Sequence, residues 1–220
     1  MPTIVRGTVP ADELALNHTL AALPDVEVEC ARIVKSGDDV VMPLLWIRNA
    51  GQDEVDEALA ADPTIQDVTC LSAFEDEYLY RMQWIDHIEL LLNMLTNGDA
   101  TILDAYGRND RWHLRVLYPN RDHLTQTHEF AADHQLTFDI DSIRDMEGEP
   151  AGRYGLTDDQ YRALVTAVQR GYYDVPRGVT LEELADEFDV AHQSLSEQIR
   201  RGTGALIEDA LMVGSFPDEE

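Results

Sequence analysis

Eight short segments of the first 147 residues are strand-like, some alternating between apolar and polar residues and some largely apolar, and four amphipathic segments lie between them. A period of two is typical of a strand, whereas apolar residues three or four apart share one face of a helix. The pattern predicts strands at 3–9, 26–34, 40–47, 65–74, 77–84, 101–106, 112–118 and 136–143. It predicts helices at 10–23, 51–61, 86–95 and 120–134, and hairpin turns at 36–39 and 107–110.

This order of elements is β-α-β repeated four times, with hairpins between the repeats. Two β-α-β units form one ferredoxin-like half, so the order predicts tandem halves at about 1–75 and 76–147. The alternative is one continuous α+β sheet with helices on one face. Gly, Pro and charged residues at 146–153 indicate a domain boundary. We therefore expect an α+β domain at 1–147 and a helical domain at 154–214.

The stretch from 179 to 201 contains two amphipathic helices separated by a short turn. Thr180 is the expected N-cap of the first helix, with Glu183 completing a capping box. Ala185 is small enough for two helices to cross, and Asp189 tolerates the positive φ that the turn needs. The apolar positions of the two helices are Leu181, Leu184, Phe188, Val190, Leu195 and Ile199. This pattern predicts a helix-turn-helix, which is typical of DNA-binding proteins; the alternative is an ordinary helical hairpin.

A further helix is predicted before this motif, with Thr157 as its N-cap, Gln160 completing a capping box and Gly171 as its C-cap. Its expected buried stripe consists of Tyr161, Leu164, Val165 and Val168. The second helix of the motif is expected to continue to about residue 211, loosened by Gly202 and Gly204.

The predicted fold class is therefore α+β, with tandem ferredoxin-like β-α-β units followed by a C-terminal all-α helix-turn-helix domain.

The charge of the chain is strongly unbalanced, with 43 acidic residues against 16 basic ones and a formal net charge of −27. Lys35 is the single lysine, so the other basic residues are arginines. Because the Debye length is only about 3 Å at 1 M salt, self-repulsion is largely screened in concentrated salt. The composition favours a halophilic protein over a merely acidic cytosolic one.

Several classes of protein are not indicated by the sequence. There is no signal-peptide pattern and no run of 18 apolar residues, so we expect a cytoplasmic protein that does not span a membrane. Cys30 and Cys70 are too few for a disulfide framework and are expected to be buried thiols. The histidines at 113, 123, 128 and 134 lack the spacing of a metal site, and no phosphate loop or nucleophile motif is present. No enzymatic activity, metal or cofactor is therefore expected.

The C-terminal sequence resembles a known family. The residues that carry the resemblance are Leu156-Thr157-Asp158-Asp159-Gln160, Gly171-Tyr172-Tyr173, Pro176-Arg177, Thr180-Leu181-Glu182-Glu183-Leu184-Ala185 and Leu195-Ser196-Glu197-Gln198-Ile199-Arg200-Arg201. This run is similar to the helix-turn-helix domain of the haloarchaeal bacterio-opsin activator family over about 157–210. The region around Thr127-His128-Glu129-Phe130 is similar to the associated domain that often precedes it. The resemblance implies a haloarchaeal transcription regulator.

The chain departs from the family at two positions of the turn. Asp189 stands near the place where members usually have glycine, and Ala191 replaces the serine that would cap the second helix. Loss of such a cap is worth about 1 kcal/mol.

The exposed N-terminal residues of the second helix are expected to reach base edges. Gln193 could pair with adenine and Arg200 with guanine, whereas Arg201, Arg177 and the helix end capped by Thr180 are better placed for phosphate. The expected DNA-binding residues are Thr180, His192, Gln193, Ser194, Ser196, Glu197, Arg200 and Arg201. Each could instead be an ordinary solvated position.

Residues 151–220 contain six arginines and 14 acidic residues, the reverse of the usual basic surface of a DNA-binding domain. The counterion-release contribution to affinity falls as salt rises, so direct base readout should matter more in concentrated salt.

The expected partners are double-stranded DNA, a second copy of the chain in a homodimer and an unidentified small-molecule effector. The first domain is expected to serve dimerisation or sensing. The alternative is a small-molecule-binding or protein-adaptor module that does not bind DNA.

Overall fold

A computed structural model describes residues 1–35, 41–146 and 155–211. The chain divides into two compact units, Met1–Asp145 and Met146–Glu220. The strands are β1 Thr3–Pro10, β2 Glu27–Lys35, β3 Val41–Arg48, β4 Ile65–Ala73, β5 Glu77–Trp84, β6 Thr101–Arg108, β7 Arg111–Tyr118 and β8 Asp139–Asp145. The helices are α1 Asn17–Ala22, α2 Gln52–Ala61, α3 Glu89–Thr96, α4 Arg121–Asp133, α5 Asp158–Gln169, α6 Leu181–Phe188 and α7 His192–Leu211. The predicted turn at 36–39 and residues 147–153 of the predicted boundary lie outside the described residues.

The first unit is built on one eight-stranded sheet in the order β4-β5-β3-β2-β6-β7-β1-β8. All neighbouring strands are antiparallel, and the two four-stranded groups meet where β2 pairs with β6. The α+β class and the helical C-terminal region are confirmed. Each group has the ferredoxin-like strand order. The two groups exchange their first strands, however, because β1 lies between β7 and β8, whereas β5 lies between β3 and β4.

The predicted division into contiguous halves at 1–75 and 76–147 is therefore wrong for this sheet. Its two groups combine strands from both sides of residue 75. The physical reason is that alternation along a strand fixes which side chains share a face, but carries no information about which strand lies alongside it.

The core of this unit lies between one face of the sheet and helices α1 to α4. Burial alternates along β3 and β7, as expected for strands with one covered face. Trp84 and Trp112 are fully buried, and their rings contact each other edge-on with centroids 5.2 Å apart. We call the face that packs on the helices the covered face and the opposite one the open face.

The predicted helix at 10–23 is broken in the structure. A single 3-10 turn at Ala11–Glu13 is followed by Leu16 in the left-handed conformation (φ 71°), and α1 begins only at Asn17. The Thr64 hydroxyl accepts a hydrogen bond of 2.9 Å from the Leu16 amide. This distant contact stabilises a backbone conformation that a leucine rarely adopts, and the sequence pattern around residue 16 could not reveal it.

Asp62 fixes the start of α1 from the far end of α2. Its carboxylate is 4% exposed and accepts hydrogen bonds from the amide and hydroxyl of Thr19, at 2.9 and 2.8 Å. The amide and hydroxyl of Thr64 donate to its other oxygen, at 3.0 and 2.5 Å. Four donors therefore compensate the burial of this charge.

Other differences from the sequence predictions are smaller. Strand β6 extends to Arg108, so the predicted turn at 107–110 contracts to Asn109 and Asp110, both with positive φ. Helix α3 begins three residues later than expected, and β8 begins three residues later and ends at Asp145. Cys30 and Cys70 are free thiols, but they are half-buried rather than buried, and desolvation raises the pKa of Cys30 to about 12.

The second unit packs three helices around a small apolar core. Its buried members are Leu156, Ala163, Leu164, Ala167, Leu184, Ala185, Leu195 and Ile199. The capping box of Thr157 and Gln160 is confirmed at the start of α5. At its end, Gly171 has a φ of 74°, with the Schellman bonds Gly171 N to Val168 O and Tyr172 N to Ala167 O.

The predicted buried stripe of α5 is only partly right. Val168 is 64% exposed, whereas Ala163 and Ala167 are buried beside Leu164. The helix turns its small residues, rather than its β-branched ones, toward the core. The small residues allow the neighbouring helices to approach α5 closely. Hydrophobicity alone did not predict which residues of α5 are buried.

Candidate nucleic-acid interface

Helix α6 begins with the capping box that its sequence predicts. The Thr180 hydroxyl accepts a hydrogen bond from the Glu183 amide at 3.2 Å, and the Glu183 carboxylate accepts from the Thr180 amide and hydroxyl at 2.8 and 2.9 Å. The bond from the Thr180 amide, followed by that from its hydroxyl, holds the pKa of Glu183 below its ordinary value. The amide and hydroxyl of Thr180 are thus already engaged at this helix end.

The turn between α6 and α7 is closed by Asp189 in the left-handed conformation, with φ 53° and ψ 43°. The Asp189 amide donates to Asp186 O at 3.2 Å, and the Val190 amide donates to Ala185 O at 3.1 Å. These are the two bonds of a Schellman motif, formed here by aspartate in the position that usually belongs to glycine. Val190 packs against the core, so the predicted turn is confirmed.

The contact of α7 with the other helices depends on small residues. Ala185 is buried in the same core as Leu195 and Ile199, in agreement with its predicted role at the helix crossing. Gly202 is also buried, and a Cβ on it would lie 2.8 Å from Leu164 Cδ1. The expectation that Gly202 loosens α7 is therefore wrong, because the helix is continuous to Leu211 and uses this glycine for close packing on α5.

The opposite side of α7 forms an outward stripe consisting of Gln193, Glu197, Arg200 and Gly204, at spacings of four, three and four residues. The three side chains are exposed, and a Cβ built on Gly204 would meet nothing within 4 Å. Sequence reasoning missed the position of Gly204, although its spacing from Gln193 and Arg200 could have shown it.

The remaining predicted DNA-binding residues lie beside this stripe or at the start of α6. His192, Ser194 and Arg201 are exposed, whereas Ser196 is half-buried. Arg201 forms an ion pair with Glu197 one turn earlier. Arg200 has no ion-pair partner among the residues that the structure describes.

Acidic and basic residues are separated within this unit. Glu182, Glu183 and Asp186 are exposed on α6, and Glu187 is held by Arg170 through contacts of 3.0 and 2.8 Å. On α7, two arginines and one glutamate occupy the ten residues from 192 to 201. The first half of α7 is thus much less acidic than α6, which favours it for contact with a polyanion.

The N-terminal unit contains no comparable chemical site in its described part. No three His, Cys, Asp or Glu side chains of residues 1–35, 41–146 and 155–211 are placed to hold a metal ion. His134 stacks on Phe130 with ring centroids 3.9 Å apart, and desolvation lowers the pKa of His113. None of the described helices is both long and apolar enough to cross a bilayer.

Two family profiles cover most of the chain. The profile described as "HTH DNA binding domain" matches residues 156–208, which contain the α6–α7 geometry described above. The profile described as "GAF and HTH_10 associated domain" matches residues 8–153, more than half of the chain. The chain belongs to the bacterio-opsin activator family. The family resemblance noted from the sequence is thereby confirmed.

Individual relatives are similar over shorter stretches. The dimethyl sulfoxide reductase transcriptional activator of Halobacterium salinarum is 33% identical over 69 residues, which are 29% of this chain and 31% of that protein. A Haloferax volcanii protein whose name assigns it to transcriptional regulation is 42% identical over 53 residues, 24% of this chain and 9% of its own length. A UPF0122 protein of Staphylococcus carnosus is 45% identical over 53 residues, 23% of this chain and 47% of its own. The chain thus spans less than half the length of each of these relatives.

Proposed function

We propose that this protein is a sequence-specific DNA-binding transcription regulator of a halophilic archaeon. The observation that carries the proposal is the α6–turn–α7 arrangement, in which Asp189 closes the turn and the opposite side of α7 is left exposed. The similarity to regulators of Halobacterium and Haloferax supports the same function, and so does the acidic, lysine-poor composition.

In the proposed complex, α7 enters the major groove with its N-terminal half. Gln193 hydrogen-bonds the N6 and N7 of adenine, and Arg200 the O6 and N7 of guanine, because these are the bidentate pairs that amide and guanidinium groups form. His192, Ser194, Ser196 and Glu197 lie along the groove walls, and Arg201 contacts phosphate by exchanging its ion pair with Glu197. Thr180 fixes the start of α6 next to the DNA backbone.

The proposed assembly is a homodimer. Its two copies of α7 would lie about 34 Å apart, one turn of B-DNA, on a pseudo-palindromic site. The domain at 1–147 would provide the dimer contact and respond to a small-molecule effector, while the domain at 154–214 would bind double-stranded DNA. We expect the protein to act in the cytoplasm without a membrane partner, metal or cofactor.

The test is a mobility-shift titration in molar KCl with fragments of the source genome. The substitutions Gln193→Ala and Arg200→Ala should each weaken binding to the selected fragment by about 1–3 kcal/mol. Gln169→Ala, at the exposed end of α5, is the matched control and should leave affinity unchanged. A folded protein that retards no fragment would contradict the proposal and favour a small-molecule-binding or adaptor module.

A further inference from the structure

The open face of the eight-stranded sheet carries an apolar patch on its β3–β5 side. We define the β3–β5 patch as Met42, Leu44, Trp46, Leu79 and Phe74. The first four are half-buried, Phe74 is 57% exposed, and the rings of Trp46 and Phe74 lie 5.9 Å apart. Trp46 opposes Leu79 across the β3–β5 ladder, so the two side chains share this face.

Arginines are numerous on the same face. Their side is fixed by the strand register, which places them on the face opposite the buried core. They are Arg6, Arg32, Arg48, Arg81, Arg108, Arg111, Arg115 and Arg144. More than half of the chain's arginines thus occupy one face of one sheet.

Carboxylates on neighbouring strands neutralise several of these arginines. Arg48 pairs with Glu29 and with Glu77, the latter at 3.2 Å. In the other group of strands, Arg111 contacts Asp139 at 2.5 Å. Two more ion pairs of the open face are Arg108 with Glu27 and Arg115 with Asp104. The open face therefore has no excess of negative charge, on a chain with a net charge of −27.

This charge balance distinguishes between the classes of partner. A nucleic acid would require unpaired cations, whereas at four of these arginines a phosphate would have to displace a carboxylate that is already bound. An acidic chain such as this one repels its own copies over most of its surface. A face without excess negative charge, with an apolar patch and arginine–carboxylate pairs, has the composition of a protein interface.

We propose that the open face is the surface through which two copies of this chain associate, with the β3–β5 patch as the apolar part of the contact. The proposal deepens the dimer of the proposed function by naming its surface. Eight strands about 4.8 Å apart and about 25 Å long give a face of about 1,000 Å², compared with the roughly 800 Å² that each partner contributes to a standard interface. The face is thus large enough for a stable dimer.

The test uses the full chain in molar KCl and sedimentation velocity over a wide range of protein concentration. Wild type should sediment as a dimer, and Leu79→Glu should raise the dissociation constant at least about 100-fold, because it places a charge opposite Trp46 in the apolar patch. Ile143→Glu is the matched control, since Ile143 is on the same sheet, opposes Val5 on the covered face and is already 43% exposed. This control should remain dimeric.

Trp46 provides a second measurement that does not depend on a variant. The chain has three tryptophans, of which Trp84 and Trp112 are fully buried, so quenching by acrylamide reports mainly on Trp46. The quenchable fraction of wild-type fluorescence should fall as protein concentration rises. Because this measurement uses wild type, it decides the proposal even if Leu79→Glu fails to fold.

Three results would overturn the proposed dimer surface: a wild type that is monomeric at every concentration, a Leu79→Glu variant that folds and stays dimeric, or duplex DNA that protects Trp46 in a monomer. These failures are separable from failure of the proposed function. A monomer that still binds a specific fragment refutes only the dimer surface. A dimer that dissociates as predicted but binds no fragment refutes only the DNA-binding function.

Discussion

The two units of this protein are stabilised by interactions of different range. In the first, β1 pairs with β7 and β8 from the other end of the unit, and the Trp112 indole donates to Ala15 O at 2.9 Å. In the second, helices α5 and α6 begin with capping boxes at Thr157 and Thr180 and end with Schellman motifs at Gly171 and Asp189. The first unit thus depends on contacts between distant residues, whereas the second depends largely on contacts between near neighbours.

The same contrast governs how each unit accommodates its carboxylates. In the sheet unit they are buried with several donors, as at Asp62, or paired with arginines on the open face. In the helical unit they cluster in the first turns of helices, with Asp158 and Asp159 in α5 and Glu182 and Glu183 in α6. Negative charge at a helix N-terminus is stabilised by the helix dipole. Local placement therefore stabilises these four carboxylates through the helix itself rather than through arginines.

The largest effect should come from the buried carboxylate that joins distant parts of the first unit. Asp62→Ala should lower the free energy of unfolding by at least about 3 kcal/mol, because each buried donor left unsatisfied costs about 1–3 kcal/mol. Urea unfolding followed by tryptophan fluorescence measures it, since all three tryptophans lie in this unit. Asp76→Ala, at an exposed turn, is the control and should change stability by less than about 0.5 kcal/mol. An equal effect of the two substitutions would show that the hydrogen bonds of Asp62 contribute little to the stability of the first unit.

The two glycines of α7 should respond in opposite directions. Gly202→Ala should destabilise the helical unit by about 1–3 kcal/mol through overpacking, because its Cβ would lie 2.8 Å from Leu164 Cδ1. Gly204→Ala should stabilise the unit by about 0.5–1 kcal/mol, since alanine has the higher helix propensity and the site is open. Amide hydrogen exchange along α7 measures both in the intact chain. A change in stability of the same sign in both variants would contradict the packing described for α7.

Removal of the α6 cap should have a smaller effect that stays within its own unit. Thr180→Ala should cost about 1 kcal/mol, since it leaves the Glu183 amide without its partner. Hydrogen exchange should show the loss in α6 and α7 and none in β1 to β8. Thr180→Ser retains the hydroxyl and should retain most of the protection. Loss of protection in the sheet would show that the two units are not separately stabilised.

The smallest expected effect is the pH dependence of the same cap. Because the pKa of Glu183 is lowered in the folded protein, its contribution is present above the unfolded pKa and is lost as pH falls through the folded pKa. An NMR titration of the Glu183 carboxyl in molar KCl should give a midpoint below that of an unfolded glutamate. Thr180→Ala should move this midpoint part of the way upward, because alanine retains the amide donor but lacks the hydroxyl. A midpoint unaffected by the substitution would contradict a contribution of the Thr180 hydroxyl to the shift.

The range of the interactions also explains which features could be predicted from the sequence. Thr180 with Glu183 and Asp189 in the turn were predictable, because capping and positive φ are properties of neighbouring residues. The exchange of β1 and β5 between the two groups of strands was not, since strand alternation does not specify a partner. Gly202 was misinterpreted because its packing partner, Leu164, lies on another helix. The side chains that contact DNA remain predictions, because exposure of Gln193 or Arg200 alone does not establish a contact.

The central claim, that the outward stripe of α7 reads DNA, is tested most directly by genome-wide mapping of binding sites for wild type and Arg200→Ala. Wild type should select a pseudo-palindromic sequence with half-sites about 10–10.5 base pairs apart. Arg200→Ala should select the same sequence with preference relaxed at one G·C pair in each half-site. Absence of any selected sequence for wild type, or an unchanged preference for Arg200→Ala, would contradict the claim.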